Sequence, residues 1–481
     1  MNMKTFNALS IFLLTINLSL SQNADDVLRF SLSENFSTAR VNGLGGSFGA
    51  LGGSSGGILI NPASLAIFRT DELSFTLSNH SENIESIFLE NSNSSERDKF
   101  SIQNLSYVKN LNIDSDWNRL NMAITWNRNN DLNRQFYMQG FNENNSMINN
   151  YFLEEAQNTP DSLLNYFDGT ASAYWTDLID LTNPNSGENQ YFSNLDQPGQ
   201  MQSLSINETG YINELGFACS GAYKDLVFVG LSLNFLDLDF LKQTSYSETD
   251  FENNTNIESF TYNTDLHITG EGTNFKIGTI FKPISNLRLG LAYHSRNYYS
   301  LYEEYTSDMV VNYSNGQAID YFDPNLDGLR DFETEYYNIY SPAKTISSIA
   351  LVISKKGLIT IDYESINYGS GKFEDRFKFN EENQTIINEF TTATNIKAGL
   401  EWKFNNIAVR SGYAILGSPY KNQETGQREY ISTGIGIQNG QYFIDLSYIQ
   451  FIEESYFEYN KLSSMLNTSS SRVLISCNYK F

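Results

Sequence analysis

The regular alternation of apolar and polar residues is the sequence feature that most limits what this chain can fold into. Between Arg119 and Arg128, one set of alternate residues is Leu120, Met122, Ile124 and Trp126, and the other is Asn121, Ala123, Thr125 and Asn127. The pattern recurs at 73–77, 227–235, 287–293, 396–402, 442–448 and 473–481. Successive side chains of a strand point to opposite faces, so each stretch predicts a strand with one apolar face. A soluble β-sandwich would alternate too, but its strands usually run about 5–6 residues, shorter than these.

The connections between the alternating stretches are very unequal in length. Every second connection is short, and the others are long, polar and rich in Asn; the short ones are Lys224-Asp225, Pro283 to Asn286, Lys355 to Gly357, Asn405-Asn406 and Asn439-Gly440. Short turns at one end and long loops at the other are typical of bacterial outer-membrane β-barrels.

Counting the stretches predicts an all-β fold, a 14-stranded antiparallel transmembrane β-barrel over residues 71–481. The predicted strands are 71–80, 99–110, 118–128, 206–223, 226–240, 263–282, 286–306, 335–354, 357–369, 388–404, 406–418, 427–439, 441–459 and 470–481. The even count places both ends of the barrel on the short-turn side. A strand ending on Phe481 is expected to be the element that barrel-assembly machinery recognises.

Residues 1–21 read as a signal peptide. Lys4 precedes an apolar stretch from Ala8 to Leu18, and Ser19-Leu20-Ser21 supplies small residues for cleavage. The apolar stretch is shorter than the ~20 residues that a spanning helix needs. We therefore expect export and a multi-pass location in the outer membrane of a Gram-negative cell.

Composition supports this interpretation and narrows the partners. The chain has 30 Tyr and 33 Phe but only 8 Pro, which suits strands and interfacial aromatic belts. A formal net charge of −25 argues against nucleic acid as a partner. Cys219 and Cys477 fall in predicted strands as small residues facing lipid, and whether they form a disulfide is left open. A monomer is expected.

Residues 22–70 do not alternate and are predicted to form an N-terminal plug inside the barrel. The segment 41–53 is dense in glycine, including Gly43, Gly45 and Gly46, and Asn61-Pro62-Ala63 follows. Such glycine density lets one backbone pass close to another. A phosphate-binding loop is the alternative, but no strand precedes the glycines and no Walker Lys follows them.

The chain resembles the FadL-type outer-membrane transporters of hydrophobic compounds, in the form common among Bacteroidetes and sometimes labelled hemin receptor. The resemblance rests on the plug motif and on segments 272–278, 287–295, 356–363 and 410–413. It implies a plug that must shift, a ligand such as a long-chain fatty acid, and sideways exit through a gap near the third strand. The predicted third strand, 118–128, contains no Gly or Pro that would break its ladder.

The long loop 144–205 is the candidate for capturing ligand at the outer mouth. Thr159-Pro160-Asp161 reads as a helix start, Gly169 as its end, and a second short turn follows. The expected apolar contacts are Leu163, Leu164, Phe167, Tyr174, Trp175 and Leu178. The alternative is that these side chains only pack on one another as the core of a lid.

Several charged residues are predicted to face the lumen, where structural pairs with the plug are more common than a substrate relay. They are Lys276, Arg288, Asp362, Glu364, Lys397, Glu401, Arg410 and Asp445. A cation among them is a candidate for holding a fatty-acid carboxylate.

A separate acidic loop carries Asp323, Asn325, Asp327 and Asp331 at calcium-ligand spacing, although the usual twelfth-position Glu is replaced by Thr334. Calcium is thus the one candidate cofactor.

Enzymatic function is not expected. The chain has three His residues, His80, His267 and His294, none at metal-ligand spacing, and no Ser lies in a nucleophile elbow. Passive transport of hydrophobic small molecules is the first hypothesis. A surface barrel that binds secreted cargo, of the type IX secretion kind, is the alternative.

Overall fold

The structure, a computed structural model, describes residues 24–32, 36–113, 115–165, 168–184, 189–252, 256–320, 333–354, 356–422 and 426–481. The predicted signal peptide, Phe167 and the candidate calcium loop lie outside these residues.

Over the described residues, fourteen antiparallel strands form a closed barrel, which confirms the predicted fold. They are β1 Glu72–Phe88, β2 Asn91–Asn112, β3 Trp117–Asp131 continued by Arg134–Asn142, β4 Gln200–Tyr223, β5 Val227–Thr249, β6 Ile257–Ile284, β7 Leu287–His294 continued by Tyr298–Tyr313, β8 Glu333–Tyr340 continued by Lys344–Ile353, β9 Gly357–Asn367, β10 Thr392–Phe404, β11 Ile407–Leu416, β12 Arg428–Asn439, β13 Tyr442–Tyr459 and β14 Leu462–Lys480. β1 closes the ring by pairing with β14, from Glu72↔Lys480 to Ile87↔Met465.

Side-chain orientation follows the alternation in the sequence. Met122 and Ile124 are exposed on the outer wall, whereas Asn121, Thr125 and Asn127 are buried inside. Cys219 and Cys477 are free and exposed, as expected for outward-facing positions. The outside of the barrel therefore carries an apolar belt, and the inside is polar where it meets the plug.

Several predicted strand limits were wrong. β2 begins at Asn91 rather than 99 and β4 at Gln200 rather than 206, so the long loop between β3 and β4 is 143–199. Beyond the apolar belt the strands are rich in Ser, Asn and Glu, so the alternation disappears while backbone pairing continues. β7 and β8 are each interrupted, at 295–297 and 341–343, where Pro342 lacks an N–H for the ladder.

The N-terminal segment fills the lumen, and two loops cover one end of it. The segment contains α1 Ala24–Ser31, α2 Ala39–Gly43, α3 Gly57–Ile60 and a 3₁₀ turn at Pro62–Ile67. The β3–β4 loop, hereafter the lid, contains α4 Leu153–Ala156 and α5 Thr170–Trp175, and the β9–β10 loop contains α6 Asn380–Glu389. Within the residues described, none of the helices has the length and apolar character that crossing a membrane requires.

Candidate functional site in the barrel lumen

The plug core, residues 36–70, packs against the inner wall where the wall residues are glycine. A Cβ on Gly412 would lie 2.0 Å from the backbone nitrogen of Gly45, and one on Gly278 would lie 1.9 Å from Oδ1 of Asn61. The same close approach occurs at Gly230, Gly290 and Gly399. Gly45 and Gly46 also have positive φ angles of 65° and 71°. These glycines place plug and wall backbones in direct contact, so the plug core is fitted to this barrel.

Asn61 fixes the second part of the plug motif. Its Oδ1 accepts a hydrogen bond from the backbone N–H of Ala63 at 3.0 Å and caps the 3₁₀ turn that Pro62 begins. Its Nδ2 donates to the carbonyl of Gly49 at 2.7 Å and to that of Thr279, in the wall, at 3.2 Å. One amide therefore joins the two halves of the plug core to β6.

Buried charges form a second attachment of the plug core to the wall. Nε of Arg40 lies 3.1 Å from Glu401, and Arg410 contacts both Glu401 and Asp445 at 2.6 Å. Asp362 accepts hydrogen bonds from the backbone N–H groups of residues 48 and 49, each at 2.9 Å. These predicted lumen charges are thus structural partners of the plug.

Replacing Glu401 with Gln is expected to cost roughly 3–5 kcal/mol of stability, because the buried guanidinium group of Arg410 and the partly buried one of Arg40 lose their shared carboxylate. Thermal unfolding of the purified barrel, followed by its heat-dependent shift in gel mobility, measures this. Asp71→Asn removes the partner of the half-exposed Lys109 and is the control, with a loss of about 1 kcal/mol or less. Equal losses in the two variants would contradict the clamping role of Glu401.

Three further predicted lumen charges, Lys276, Glu364 and Lys397, lie near the C-terminal end of α1. Lys276 pairs with Glu214 at 2.5 Å, whereas Lys344 and Lys397 share one carboxylate, Glu364, at 3.4 and 3.7 Å. His294 faces inward as predicted, and its Nε2 donates to the carbonyl of Ile60 at 2.9 Å. Arg288 lies at the opposite end of β7, and its buried Nε has no hydrogen-bond partner among the described residues.

Helix α1 occupies an apolar chamber in the lumen, which the sequence analysis did not single out. Val27, Leu28 and Phe30 are buried there, and the Phe30 ring meets that of Phe240 edge-on at 6.1 Å. The chamber is lined by Leu236, Leu238, Phe240, Ile268, Tyr299, Leu301, Tyr337 and Ile339. In the sequence, this amphipathic helix is indicated only by the way its apolar residues alternate with its charged ones. The apolar residues are Val27, Leu28 and Phe30, and the charged ones are Asp25, Asp26 and Arg29.

Two cavities extend the chamber at the C-terminal end of α1. One, of about 50 Å³, lies against Phe30 and Leu32 and reaches Lys276, His294 and Lys344. The other, of about 120 Å³, lies against Leu28 and Leu32 and reaches Glu364 and Lys397. The chamber is therefore apolar around α1 and charged at its end, where Lys344 and Lys397 share the carboxylate of Glu364.

The lid and α6 close the chamber from the side opposite the plug core. Glu248 is fully buried and anchors the lid by accepting hydrogen bonds from Ser146 Oγ at 2.6 Å and the backbone N–H of Met147 at 2.7 Å. Phe152 packs edge-on against Phe260 and Tyr262 of the wall. On the other side, Phe379 and Ile386 of the α6 loop join the apolar cluster that contains α1.

The lid residues predicted to form one apolar face are divided between its inside and its outside. Leu164 and Leu178 are buried in the lid core, Leu163 and Trp175 are 65% and 54% exposed, and Tyr174 lies between these extremes. The predicted helix after Thr159 was wrong: among the described residues between 159 and 169, only a 3₁₀ turn at Asp161–Leu163 forms. Gly169, with φ of 80°, precedes α5 instead of ending the earlier helix.

The wall has a discontinuity between β2 and β3, although the sequence of 118–128 gave no sign of it. Over the described residues, the β2–β3 ladder stops at Asn104↔Asn127, and β3 is interrupted at residues 132 and 133. Side chains bridge the gap: Arg97 donates to the carbonyl of Glu208 at 2.9 Å, and Gln103 donates to the carbonyl of Arg128 at 2.7 Å. The gap lies beside the chamber, because Asn130 on β3 donates to the carbonyl of Leu32 at 2.9 Å.

No family model matches the chain, and no curated protein does. Solved structures are similar in fold. A FadL homologue of Pseudomonas aeruginosa matches with 13% identity and a TM-score of 0.58, over 92% of this chain and 98% of the other. The toluene transporters TodX of P. putida and TbuX of Ralstonia pickettii match with 12% and 11% identity, TM-scores of 0.52 and 0.51, over 92% and 93% of this chain and 98% of theirs. The protein therefore has the FadL-type fold, a 14-stranded barrel with an N-terminal plug.

Proposed function

We propose that the barrel lies in the outer membrane and takes up hydrophobic small molecules passively. The observation that carries the proposal is the apolar chamber filled by α1, because an apolar helix face inside a lumen occupies space that an apolar ligand would fit. The named structural neighbours include a FadL homologue and two toluene transporters, none of them an enzyme.

The outer surface supports the location. Large apolar side chains are exposed around the barrel, for example Ile361, Leu400 and Ile435, which water would not favour but lipid would. Aromatic rings cluster near the C-terminus, at one end of the apolar belt. The centroid of the Phe481 ring lies 5.6 Å from that of Tyr479 and 6.2 Å from that of Tyr107, and both pairs are stacked.

The charges at the end of the chamber favour an acidic hydrophobe, with long-chain fatty acids as the class. Lys344 and Lys397 both line cavities beside α1, and they lie 3.4 and 3.7 Å from Glu364. A carboxylate placed there would be attracted by these two ammonium groups in a water-poor site. The hydrocarbon chain of such a ligand would take the place of the α1 side chains.

The geometry supports a route with three stages. Exposed Leu163 and Trp175 on the lid offer the first contact, the chamber offers binding once α1 moves, and the gap between β2 and β3 offers an exit toward the membrane. Phe100 and Ile102 of β2 are exposed beside that gap, so an emerging apolar molecule would meet apolar side chains.

Uptake by vesicles that contain the purified barrel tests the proposal. We expect labelled oleate to enter faster than into protein-free vesicles, while a sugar of small size enters no faster. Comparison of oleate with toluene tests the preference for an acid. Sugar entry that rises as much as oleate entry would replace the proposal with a general porin.

Changing both Leu163 and Trp175 to Asp is expected to slow oleate uptake several-fold, because the lid then loses its exposed apolar contacts. The barrel should still fold, because both side chains are exposed and lie outside the buried core of the lid. Initial uptake rates in vesicles measure the effect. Phe377→Asp is the control, since Phe377 is 98% exposed and belongs to the β9–β10 loop, not to the lid. A similar loss in that control would show that general surface apolarity, and not the lid, captures the ligand.

A further inference from the structure

The side chain of Arg97, on β2, spans the gap between β2 and β3. Its Nη1 donates to the carbonyl of Glu208 at 2.9 Å and to Oδ1 of Asn207 at 3.2 Å, both on β4. Nη1 also lies 3.4 Å from the carbonyl of Arg134, and Nη2 donates to Oδ1 of Asn133 at 3.3 Å, at the break in β3. One guanidinium group therefore ties β2 to the far edge of the gap.

The oxygens that hold Arg97 are all neutral, because they belong to backbone carbonyls or to Asn side chains. Glu82 is opposite Arg97 in the β1–β2 register, but among the described residues no carboxylate lies within ion-pair distance of this guanidinium group. A carboxylate binds a guanidinium group through two parallel hydrogen bonds and adds the attraction of opposite charges, which amide oxygens lack. A carboxylate that reached Arg97 would therefore displace the amide oxygens.

The chamber leads to this gap. The cavity of about 50 Å³ at the end of α1 is lined by Asn129 of β3 as well as by Lys276 and Lys344. The next residue of β3, Asn130, donates to the carbonyl of Leu32 at 2.9 Å. A ligand carboxylate at these lysines would thus lie beside the β3 edge of the gap.

We propose that Arg97 is a latch on the gap, which the carboxylate of an acidic ligand releases. The carboxylate takes the guanidinium group from the amide oxygens of residues 133, 134, 207 and 208, the two edges separate, and the hydrocarbon chain passes between β2 and β3. A neutral molecule of the same length meets the gap with Arg97 still in place. The inference rests on the uptake proposed above and adds the residue that selects acids at the exit.

Uptake of oleate and of methyl oleate by vesicles that contain the barrel tests the latch, because the two molecules share one hydrocarbon chain and differ in charge. We expect the unchanged barrel to take up oleate several-fold faster. Arg97→Met should raise methyl oleate uptake to the rate of oleate, because the latch is then missing. Arg128→Met is the matched control and should keep the preference, since Arg128 lies on the β3 edge but its guanidinium group lies 5.1 Å over the Tyr211 ring of β4.

A distance measurement tests the latch with Arg97 in place. Spin labels at Phe100 on β2 and Tyr137 on the continuation of β3, both exposed, report the separation of the two edges once Cys219 and Cys477 are changed to Ser. We expect oleate to lengthen the distance between the labels and methyl oleate to leave it unchanged. An unchanged distance with oleate bound would overturn the proposal.

The uptake results separate failure of the latch from failure of transport. An Arg97→Met barrel that folds, as heat-dependent gel mobility shows, and still prefers oleate as strongly as the unchanged barrel would also overturn the latch. Equal uptake of the two molecules by the unchanged barrel would reject the latch and leave transport standing. Uptake of neither molecule would reject transport itself.

Discussion

Replacing Phe30 by Ala should raise the affinity of the barrel for a hydrophobic ligand. Phe30 is 1% exposed, packs against Phe240 and holds α1 in the chamber where we propose that the ligand binds. Removing a buried Phe side chain costs about 3–5 kcal/mol, and that loss falls on the docked state of α1. Because apparent affinity scales with the fraction of molecules that can bind, a weakening of about 3 kcal/mol allows up to roughly a hundredfold tighter binding.

Titration of the detergent-solubilised barrel with a fluorescent fatty acid measures this affinity. Phe48→Ala is the matched control, because Phe48 is equally buried in the plug but belongs to the plug core, outside the chamber. Its affinity should stay near that of the unchanged protein. A Phe30→Ala variant that binds more weakly would mean that α1 forms one wall of the binding site and does not compete with the ligand.

The opposite expectations for Phe30 and Phe48 reflect two different kinds of attachment within one plug. The plug core is held by backbone contact at wall glycines and by the ion pairs of Arg40, Glu401 and Arg410. Helix α1 is held mainly by apolar side chains, which another apolar molecule can replace. In the proposed transport, the plug can therefore open the chamber by releasing α1 while the plug core stays in place.

The period of two in the sequence was sufficient to predict the barrel, because lipid outside and plug inside impose opposite demands on alternate side chains. Asn121, Thr125 and Asn127 could be assigned to the lumen on that ground alone, and they are buried there. The same signal fails beyond the apolar belt. Residues 91–98 of β2 continue the ladder with β1, but both faces meet polar surroundings, so no alternation marks them.

The gap beside β3 shows a second limit of sequence reasoning. Residues 118–128 contain no Gly or Pro, yet β3 is broken at residues 132 and 133. A register shift between Arg128 and Asn130 precedes the break, and Asn130 turns its side chain to the plug. Asn side chains that bond to nearby backbone can replace ladder contacts, so a strand can end without Gly or Pro.

The hydrogen-bond and ion-pair partners of the lumen charges likewise could not be predicted from the sequence. Asp362, Lys397 and Arg410 were each predicted to face inward, but only the folded plug shows that Asp362 binds plug amides while Lys397 shares Glu364 with Lys344. Lys344 itself follows Pro342, at an irregularity in β8 that hides its orientation. The difference matters for function, because it decides which charged side chains hold the plug and which line the cavities beside α1.

Replacing Gly412 by Ala should open a leak for small polar solutes. The new Cβ would lie 2.0 Å from the nitrogen and 2.5 Å from the Cα of Gly45, so backbone opposes backbone and the plug core must move as a unit. Liposome swelling in a sugar solution is expected to change from the rate of protein-free vesicles to a clearly faster one. Gly290→Ala, where the new Cβ would meet the carbonyl of Gly49 at 2.4 Å, should act in the same way.

Gly216→Ala is the matched control for this prediction, because Gly216 also faces the lumen but its new Cβ would meet only the flexible side chains of Asn234 and Thr125. Heat-dependent gel mobility confirms that each variant still forms a barrel. Swelling that stays at the protein-free rate in Gly412→Ala and Gly290→Ala would mean that the plug core adapts to the added methyl group without opening the lumen. In that case the wall glycines would serve assembly of the barrel around its plug, and closure would depend on the ion pairs of Arg40 and Arg410 instead.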